Sequence, residues 1–249
     1  MQKIKFTDSM GVSKEYYPRP ASTFIPEWYK NLESYIDGEK VPPMGGGTTS
    51  TVKRCMPVFD SLTAGYIITT YVDIYVRQMP NIPEKNQSDA DLDVSKFPTQ
   101  PSFQWTNHET IGFHPIIQAH NYPNRGAHNI AYPKFVNPWS IRTPKGYSTL
   151  FVSPFHREEP MTILPGVVDT DSYYAPVNFP FVLKEADKFE GLIPAGTPIA
   201  QAIPFKREFW KMEFGNADDY KNQSNIAKDL RNKFFDAYKL NYRQPKEYK

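Results

Sequence analysis

The sequence predicts a mainly β protein with a sandwich-type core, an N-terminal arm and a C-terminal amphipathic helix. Three observations support this prediction. Short apolar segments recur over residues 103–113 and 141–205, Pro and Gly interrupt them at turn-like intervals, and residues 66–77 alternate between two faces. The chain has 249 residues with 24 Pro, 13 Gly and 15% aromatic side chains, so it can build a hydrophobic core between rigid turns.

Residues 1–57 are predicted to form the N-terminal arm. This segment mixes charged, proline and aromatic residues, and its helical candidate covers residues 26–35. The candidate rests on apolar side chains at helical spacing, namely Trp28, Tyr29 and Leu32. Two prolines and the glycine run at positions 45–47 follow it, and they predict a break in regular structure before the core.

The β-rich core is predicted to span residues 58–210. Its clearest strand signal is residues 66–77, where apolar side chains alternate with period two. An average strand has about five or six residues, so we expect a bend or bulge to divide this one. Pro180 predicts an edge strand or a bulge at residues 177–183. Residues 80–101 contain four prolines and several acids, which predicts a surface loop.

Residues 211–249 are predicted to form a helical tail. Apolar side chains recur there at helical spacing, and Pro245 stops the pattern. Those side chains are Ile226, Leu230, Phe234, Phe235 and Tyr238. Lys and Arg occupy the opposite face, so the helix could dock on its own sheet or on a neighbouring subunit.

The charge, the apolar stretches and the cysteine content of the chain exclude several classes of protein. The 29 basic and 27 acidic side chains nearly cancel to +2, so a nucleic acid is not an expected partner. No stretch approaches the roughly 20 apolar residues of a membrane helix, and the first 20 residues lack the features of a signal peptide. Cys55 is the single cysteine, a structural thiol or a nucleophile, and its lack of a mate favours a reducing compartment. We expect a protein of the host-cell cytoplasm or, for a phage protein, of the infected cell or the virion.

Several segments of the second half follow an order that resembles the trimeric deoxyuridine triphosphatase superfamily, the β-clip fold. One is Gly166, Val167, Val168 and Asp169 followed by Tyr173, another is Gly196 followed by Ile199, Ala200 and Gln201, and a third is Ala64, Gly65 and Tyr66. The resemblance implies a β-clip-like core and a homotrimer. It also implies that Asp169 is the general base, that Tyr173 or Tyr174 packs on the nucleoside, and that Mg²⁺ is bound.

The chain departs from that family at the positions that bind magnesium and phosphate in the family's enzymes. Ile67 occupies the position of the magnesium-side aspartate, and residues 153–157 (Ser-Pro-Phe-His-Arg) replace the phosphate-binding Arg-Ser-Gly motif. Asp171 and Ser172 lengthen the segment before Tyr173, and a helical tail replaces the glycine-rich closing segment. These departures favour a scaffold that has lost the triphosphatase reaction.

Another set of residues is similar to a family of uncharacterised proteins of bacteria and tailed phages. The match covers about residues 52–207, and the tail resembles the phage branch of that family. The matching positions are Arg142, Thr143, Pro144, Gly146, Tyr147, Gly166, Val168, Asp169, Thr170, Asp171, Gly196, Pro198 and Ile199, with Tyr238, Tyr242, Arg243 and Lys246 in the tail. This resemblance implies a family and no mechanism.

Three other groups of residues are weaker candidates for sites. Four histidines could converge on a metal or be ordinary loop histidines: His108, His114, His120 and His128. The run 45–51 with Lys53 and Arg54 is either an anion-binding nest or a hinge. The third group is either an active cleft or an ion-pair network that holds two turns. It consists of Asp169, Asp171, Arg142, Arg157 and Arg207.

Two functions follow from these observations. The first is a phage-type, non-enzymatic β protein that acts in the virion or as a binding or assembly module, without a cofactor. Its expected partners are further copies of itself, forming a homo-oligomer and under the first resemblance a trimer, and other phage proteins. The alternative is a nucleotide-binding or nucleotide-hydrolysing enzyme that uses Asp169 and Asp171, with Mg²⁺, in a rearranged phosphate site. Neither function involves a membrane.

Overall fold

The chain forms two compact units. The computed structural model describes residues 2–41, 49–77, 102–105, 110–113, 133–183, 191–232 and 236–249. The strand unit comprises Met1–Arg19 and Tyr66–Lys206, and the helical unit comprises Pro20–Gly65 and Arg207–Lys249. The prediction placed residues 1–57 and 211–249 at the two ends of a core. In the structure the first 19 residues group with the strands, and residues 20–65 group with the tail.

The prediction of a mainly β protein is confirmed. The strands are β1 (Lys5–Asp8), β2 (Arg19–Pro20), β3 (Tyr66–Thr69), β4 (Ile74–Arg77), β5 (Ser102–Trp105), β6 (Ile111–Phe113), β7 (Pro133–Phe135), β8 (Trp139–Arg142), β9 (Tyr147–Val152), β10 (Met161–Ile163), β11 (Gly166–Val168), β12 (Phe179–Leu183), β13 (Gly191–Ile193) and β14 (Pro198–Lys206). They form four sheets, ordered β1-β8, β10-β12-β7-β6, β11-β9-β14-β3-β2 and β13-β4-β5.

The predicted division of residues 66–77 is confirmed, because β3 and β4 belong to different sheets. Thr70 lies at the break. Its N–H donates to the Thr197 carbonyl at 2.9 Å, and its carbonyl accepts from Gly196 N–H at 2.9 Å. Gly196 has φ +88°, which a side chain would strain. Residues 66–77 therefore form two strands, β3 and β4. The hydrogen bonds of Thr70 with residues 196 and 197 stabilise the turn between them.

The hydrophobic core lies in the strand unit. Six large side chains from five strands are at most 2% exposed: Ile68, Phe135, Trp139, Phe151, Phe179 and Phe181. The rings of Phe151 and Phe179 are 5.5 Å apart, which joins the five-stranded and four-stranded sheets. Each such side chain stabilises the fold by about 1.5–3 kcal/mol. The core thereby holds β9 and its neighbour β11, which carry the candidate site.

Of the two alternatives predicted from Pro180, an edge strand or a bulge, the edge position is wrong. Strand β12 lies inside its sheet, between β10 and β7. Proline lacks an N–H donor but keeps its carbonyl acceptor. The Pro180 carbonyl accepts from Leu164 N–H at 2.7 Å, so this residue serves the interior of the sheet as an acceptor.

The helical unit contains α1 (Glu27–Asn31), α2 (Met56–Thr63), α3 (Ala217–Asn232) and α4 (Ala237–Asn241). The C-terminal helix is confirmed. Of the predicted stripe, Ile226 and Leu230 lie on α3 and Tyr238 lies on α4, whereas Phe234 and Phe235 lie outside the described residues. Asp236 precedes α4 with φ 63°, which interrupts the helical path. On α3, Ile226 is 44% and Leu230 is 38% exposed. None of the described helices is long and apolar enough to cross a bilayer.

Some predicted features lie outside the described residues. They are the whole surface loop at 80–101, the glycine run at 45–47 and the four-histidine group, His108, His114, His120 and His128.

Candidate functional site

The candidate site lies at the turn that follows β11. Strand β11 pairs antiparallel with β9, with Val168 opposite Thr149. The chain then turns at Asp169, whose carbonyl accepts from Ser172 N–H at 3.0 Å and from Tyr173 N–H at 2.9 Å. This turn places the predicted residues Asp169, Asp171, Tyr173 and Tyr174 beside the start of β9.

Asp169 is bound to the neighbouring strand through its side chain. The Ser148 hydroxyl donates to Asp169 Oδ1 at 2.6 Å, and Ser148 is 1% exposed. A hydroxyl that donates to a carboxylate forms a short, charge-assisted hydrogen bond, stronger than a neutral one. The predicted general base therefore already has a structural partner on β9.

A chain of buried threonine hydroxyls lies beneath the turn. Thr170 Oγ1 is 2.8 Å from Thr143 Oγ1 and 2.8 Å from Thr149 Oγ1. The Thr143 N–H also donates to the Thr170 carbonyl at 3.1 Å. All three residues are buried, so these bonds satisfy hydroxyl groups that water does not reach.

Sequence reasoning did not assign Ser148, Thr149 or this hydroxyl chain to the site. The available signal was weak: a few hydroxyl residues inside segments that are otherwise apolar. That signal does not say which hydroxyl meets which, because the partners come from different strands.

Asp171 holds a second turn. Its Oδ2 accepts from Gly146 N–H at 2.8 Å, and its carbonyl accepts from the Tyr174 hydroxyl at 2.8 Å. Gly146 has φ +86°, so the Pro144–Tyr147 turn needs glycine there. Aspartate side chains commonly bond backbone N–H groups at turns. Each of the two aspartates therefore holds a turn through a hydrogen bond to a distant part of the chain.

The outer surface of the site is aromatic and basic. Tyr173 is 48% and Tyr174 is 52% exposed. The Arg142 guanidinium, at the end of β8, lies 4.8 Å from the centre of the Tyr174 ring. A cation over an aromatic face is attracted by the ring quadrupole. This surface offers a flat ring and a positive charge to a ligand or a partner.

The other two predicted arginines are Arg157 and Arg207. Arg157 lies between β9 and β10 and forms an ion pair with Glu159 at 3.2 Å. The strand unit also has an open cleft of about 580 Å³. Its lining includes Glu158, Glu159, Leu192, Ile193 and Thr197. Arg207 belongs to the helical unit. Of the three arginines, Arg142 contacts the turn, through the ring of Tyr174.

Two further residues that carry the resemblance or depart from it, Gln201 and Ile67, are buried. Ile67, at the position that resembles the magnesium-side aspartate, is 2% exposed. Gln201 is 1% exposed, and its Oε1 accepts from Phe155 N–H at 3.1 Å. Among the residues that the structure describes, no three His, Cys, Asp or Glu side chains form a group able to hold a metal. Cys55 is an exposed free thiol.

No protein-family model matches the chain, and no curated protein matches its sequence. The resemblances to the triphosphatase superfamily and to the phage family therefore stay predictions.

Proposed function

We propose that the chain is a phage-type, non-enzymatic β protein, acting in the virion or as a binding or assembly module in the infected cell. In this proposal its core is a triphosphatase-like scaffold without the reaction. The observation that carries the proposal is the use of both aspartates to hold turns. Asp169 accepts from Ser148 and Asp171 accepts from Gly146, at 2.6 and 2.8 Å.

Two more observations support this proposal. The buried Ile67 offers apolar surface where the resembling enzymes hold a metal-side carboxylate. The helical unit also exposes large apolar side chains in the segment after β14, among them Phe209 and Trp210. Large exposed apolar surface is typical of sites that contact other macromolecules. The homotrimer implied by the resemblance belongs to this proposal as well.

Purified particles test the virion form of the proposal. We expect the protein to band with the particles in a density gradient, at a constant ratio to the major capsid protein across the peak. A phage enzyme that is not packaged serves as the control. Absence from the particle fractions would overturn the virion form and leave a role in the infected cell.

The alternative is a nucleotide-binding or nucleotide-hydrolysing enzyme with Mg²⁺. One observation favours it: the exposed rings of Tyr173 and Tyr174, with Arg142 over one of them, lie beside two carboxylates. A base could stack on such a ring, and the guanidinium could meet a phosphate.

Thermal unfolding against a panel of nucleotides, with and without Mg²⁺, separates the two functions. A ligand at 100 times its Kd adds about 2.7 kcal/mol, which raises Tm by roughly 5–11 °C for a chain of this size. We expect a flat panel. A selective rise that Asp169→Asn abolishes, and that the control Asp73→Asn keeps, would establish the alternative. Asp73 is the control because its carboxylate, like that of Asp169, accepts a hydrogen bond, in this case from the Ala195 N–H at 2.8 Å.

A further inference from the structure

Four large apolar side chains lie almost wholly in water within six residues of the chain. The segment Phe209–Phe214, here called the aromatic arm, lies between the end of β14 and the start of α3. Phe209 is 108%, Trp210 87%, Met212 80% and Phe214 90% exposed. Single exposed apolar residues are ordinary in proteins, but a contiguous group of this size marks a contact surface.

The aromatic arm has an apolar side and a charged side. Lys211 Nζ and Glu213 Oε1 are 2.9 Å apart, so these alternate side chains share one side of the segment. In an extended chain, residues two apart lie on the same side and their neighbours lie on the other. Trp210, Met212 and Phe214 therefore share the opposite side. Such a segment suits addition to the open edge of a sheet.

The apolar side of the aromatic arm has an area close to that of a specific interface. A buried aromatic side chain covers about 150–250 Å², so Trp210, Phe214 and Met212 together present roughly 450–650 Å². A stable protein–protein contact buries about 800 Å² on each partner. These three side chains can therefore supply most of one side of such a contact.

The same chain carries a surface that fits an extended apolar segment. Strand β11 is the terminal described strand of its five-stranded sheet. Val167 on β11 is 60% exposed, and Tyr173 and Tyr174 follow at 48% and 52%. We call these three residues the β11 patch. A terminal strand presents backbone N–H and C=O groups that another extended chain can pair with.

We infer that the aromatic arm of one copy docks along the β11 patch of a second copy of this chain. The backbone of the arm adds to β11, and Trp210, Met212 and Phe214 pack against Val167 and the two tyrosine rings. A second copy is the occupant because one chain carries both the exposed aromatic arm and a strand, β11, that is terminal among the described strands of its sheet. Contacts between two different surfaces of identical chains close into exchanged dimers or rings when the rotation between copies permits, and otherwise continue as open filaments. This inference rests on the proposed assembly function and names a partner for it.

Sedimentation velocity of the full-length chain tests the inference. An interface of this size gives Kd values from micromolar downward, so we expect the wild type to associate by about 50 µM. The arm variant Trp210→Ser/Met212→Ser/Phe214→Ser and the patch variant Val167→Glu should both be monomers. Two controls should associate like the wild type: Leu240→Ser on α4, which is 76% exposed, and Leu192→Glu on β13, which is 55% exposed.

Mixing the two monomeric variants identifies the occupant. The arm variant keeps an intact patch and the patch variant keeps an intact arm, so an equimolar mixture should form heterodimers through one arm–patch contact. Far-UV circular dichroism of each variant should match that of the wild type, which shows that the loss of association is not a loss of folding.

Three outcomes would overturn the inference: a monomeric wild type, an arm variant that still associates, or a variant mixture that stays monomeric. The particle experiment separates this failure from failure of the proposed function. A monomeric protein that bands with particles would overturn the arm–patch contact alone. An associating protein that is absent from particles would overturn the virion role alone.

Discussion

Two parts of the C-terminal segment each contain three aromatic side chains, but one part is exposed and the other is held by polar contacts. In the aromatic arm, Phe209 and Phe214 are at least 90% exposed. The anchored tail, residues 236–249, is bound to α2 through Asp60. Arg243 Nη2 donates to Asp60 Oδ1 at 2.7 Å, and Lys246 Nζ lies 2.9 Å from Oδ2. A second ion pair joins Arg54 and Asp236 at 2.8 Å.

The difference shows that polar partners, rather than aromatic content, decide which segment is held within the helical unit. Tyr242 of the tail donates its hydroxyl to Asp229 at 3.1 Å, and Arg243 also lies 5.7 Å from the Phe59 ring. Phenylalanine has no such group to donate. In the arm, the charged side chains Lys211 and Glu213 pair with each other across two residues, which anchors neither to another element.

Removal of the tail's anchor should give the largest effect on folding. Asp60→Ala deletes the acceptor shared by Arg243 and Lys246, and the Asp60 side chain is 11% exposed. Hydrogen bonds to a charged group at such a position contribute about 1–3 kcal/mol after screening by solvent. We expect urea unfolding to show a loss in that range. Glu27→Ala, which removes the more exposed Lys30–Glu27 pair, is the control and should change little.

A smaller effect should appear on acidification. The Arg243 hydrogen bond, together with Lys246, lowers the pKa of Asp60 below its ordinary value, about 3.9. The ionised carboxylate therefore stabilises the fold above that ordinary value, and this stabilisation is lost as pH falls through the lowered pKa. Between pH 5 and pH 2 the free energy of unfolding should fall more steeply in the wild type than in Asp60→Asn. Parallel curves would show that the anchor does not depend on this charge.

The smallest effect on folding should come from the aromatic arm. The triple variant of Trp210, Met212 and Phe214 to serine removes side chains that are already at least 80% exposed. Surface changes of this kind usually alter stability by no more than about 0.5 kcal/mol. At a concentration where the protein is monomeric, its urea midpoint should match that of the wild type. A loss above 1 kcal/mol would mean that the arm packs within its own chain.

Local patterns in the sequence predicted the elements well. Period two in residues 66–77 predicted strands, and the bend expected from its length lies between β3 and β4. Helical spacing in the tail predicted α3, although the break at Asp236 was not foreseen. Pro180 shows the limit of such reasoning, because a missing N–H matters only if the neighbouring strand needs a donor. The position of β12 inside its sheet decides that need.

The candidate site was predictable as a list of residues but not as a set of contacts. Asp169, Asp171, Tyr173 and Tyr174 are close in sequence, so any fold brings them near one another. Their partners Ser148 and Gly146 come from residues more than 20 positions away. The choice between a catalytic and a structural carboxylate depends on those partners.

By itself the sequence determined the fold class and the types of its elements, because side-chain periodicity and turn residues act over a few neighbours. The tertiary structure decided which strands pair, which carboxylates are engaged and which apolar segment stays in water. These outcomes depend on contacts between distant residues, such as Gln201 with Phe155 and Arg243 with Asp60, 46 and 183 positions apart. Periodicity along the chain carries no information about such pairs, since each partner is chosen by the register and packing of the folded molecule.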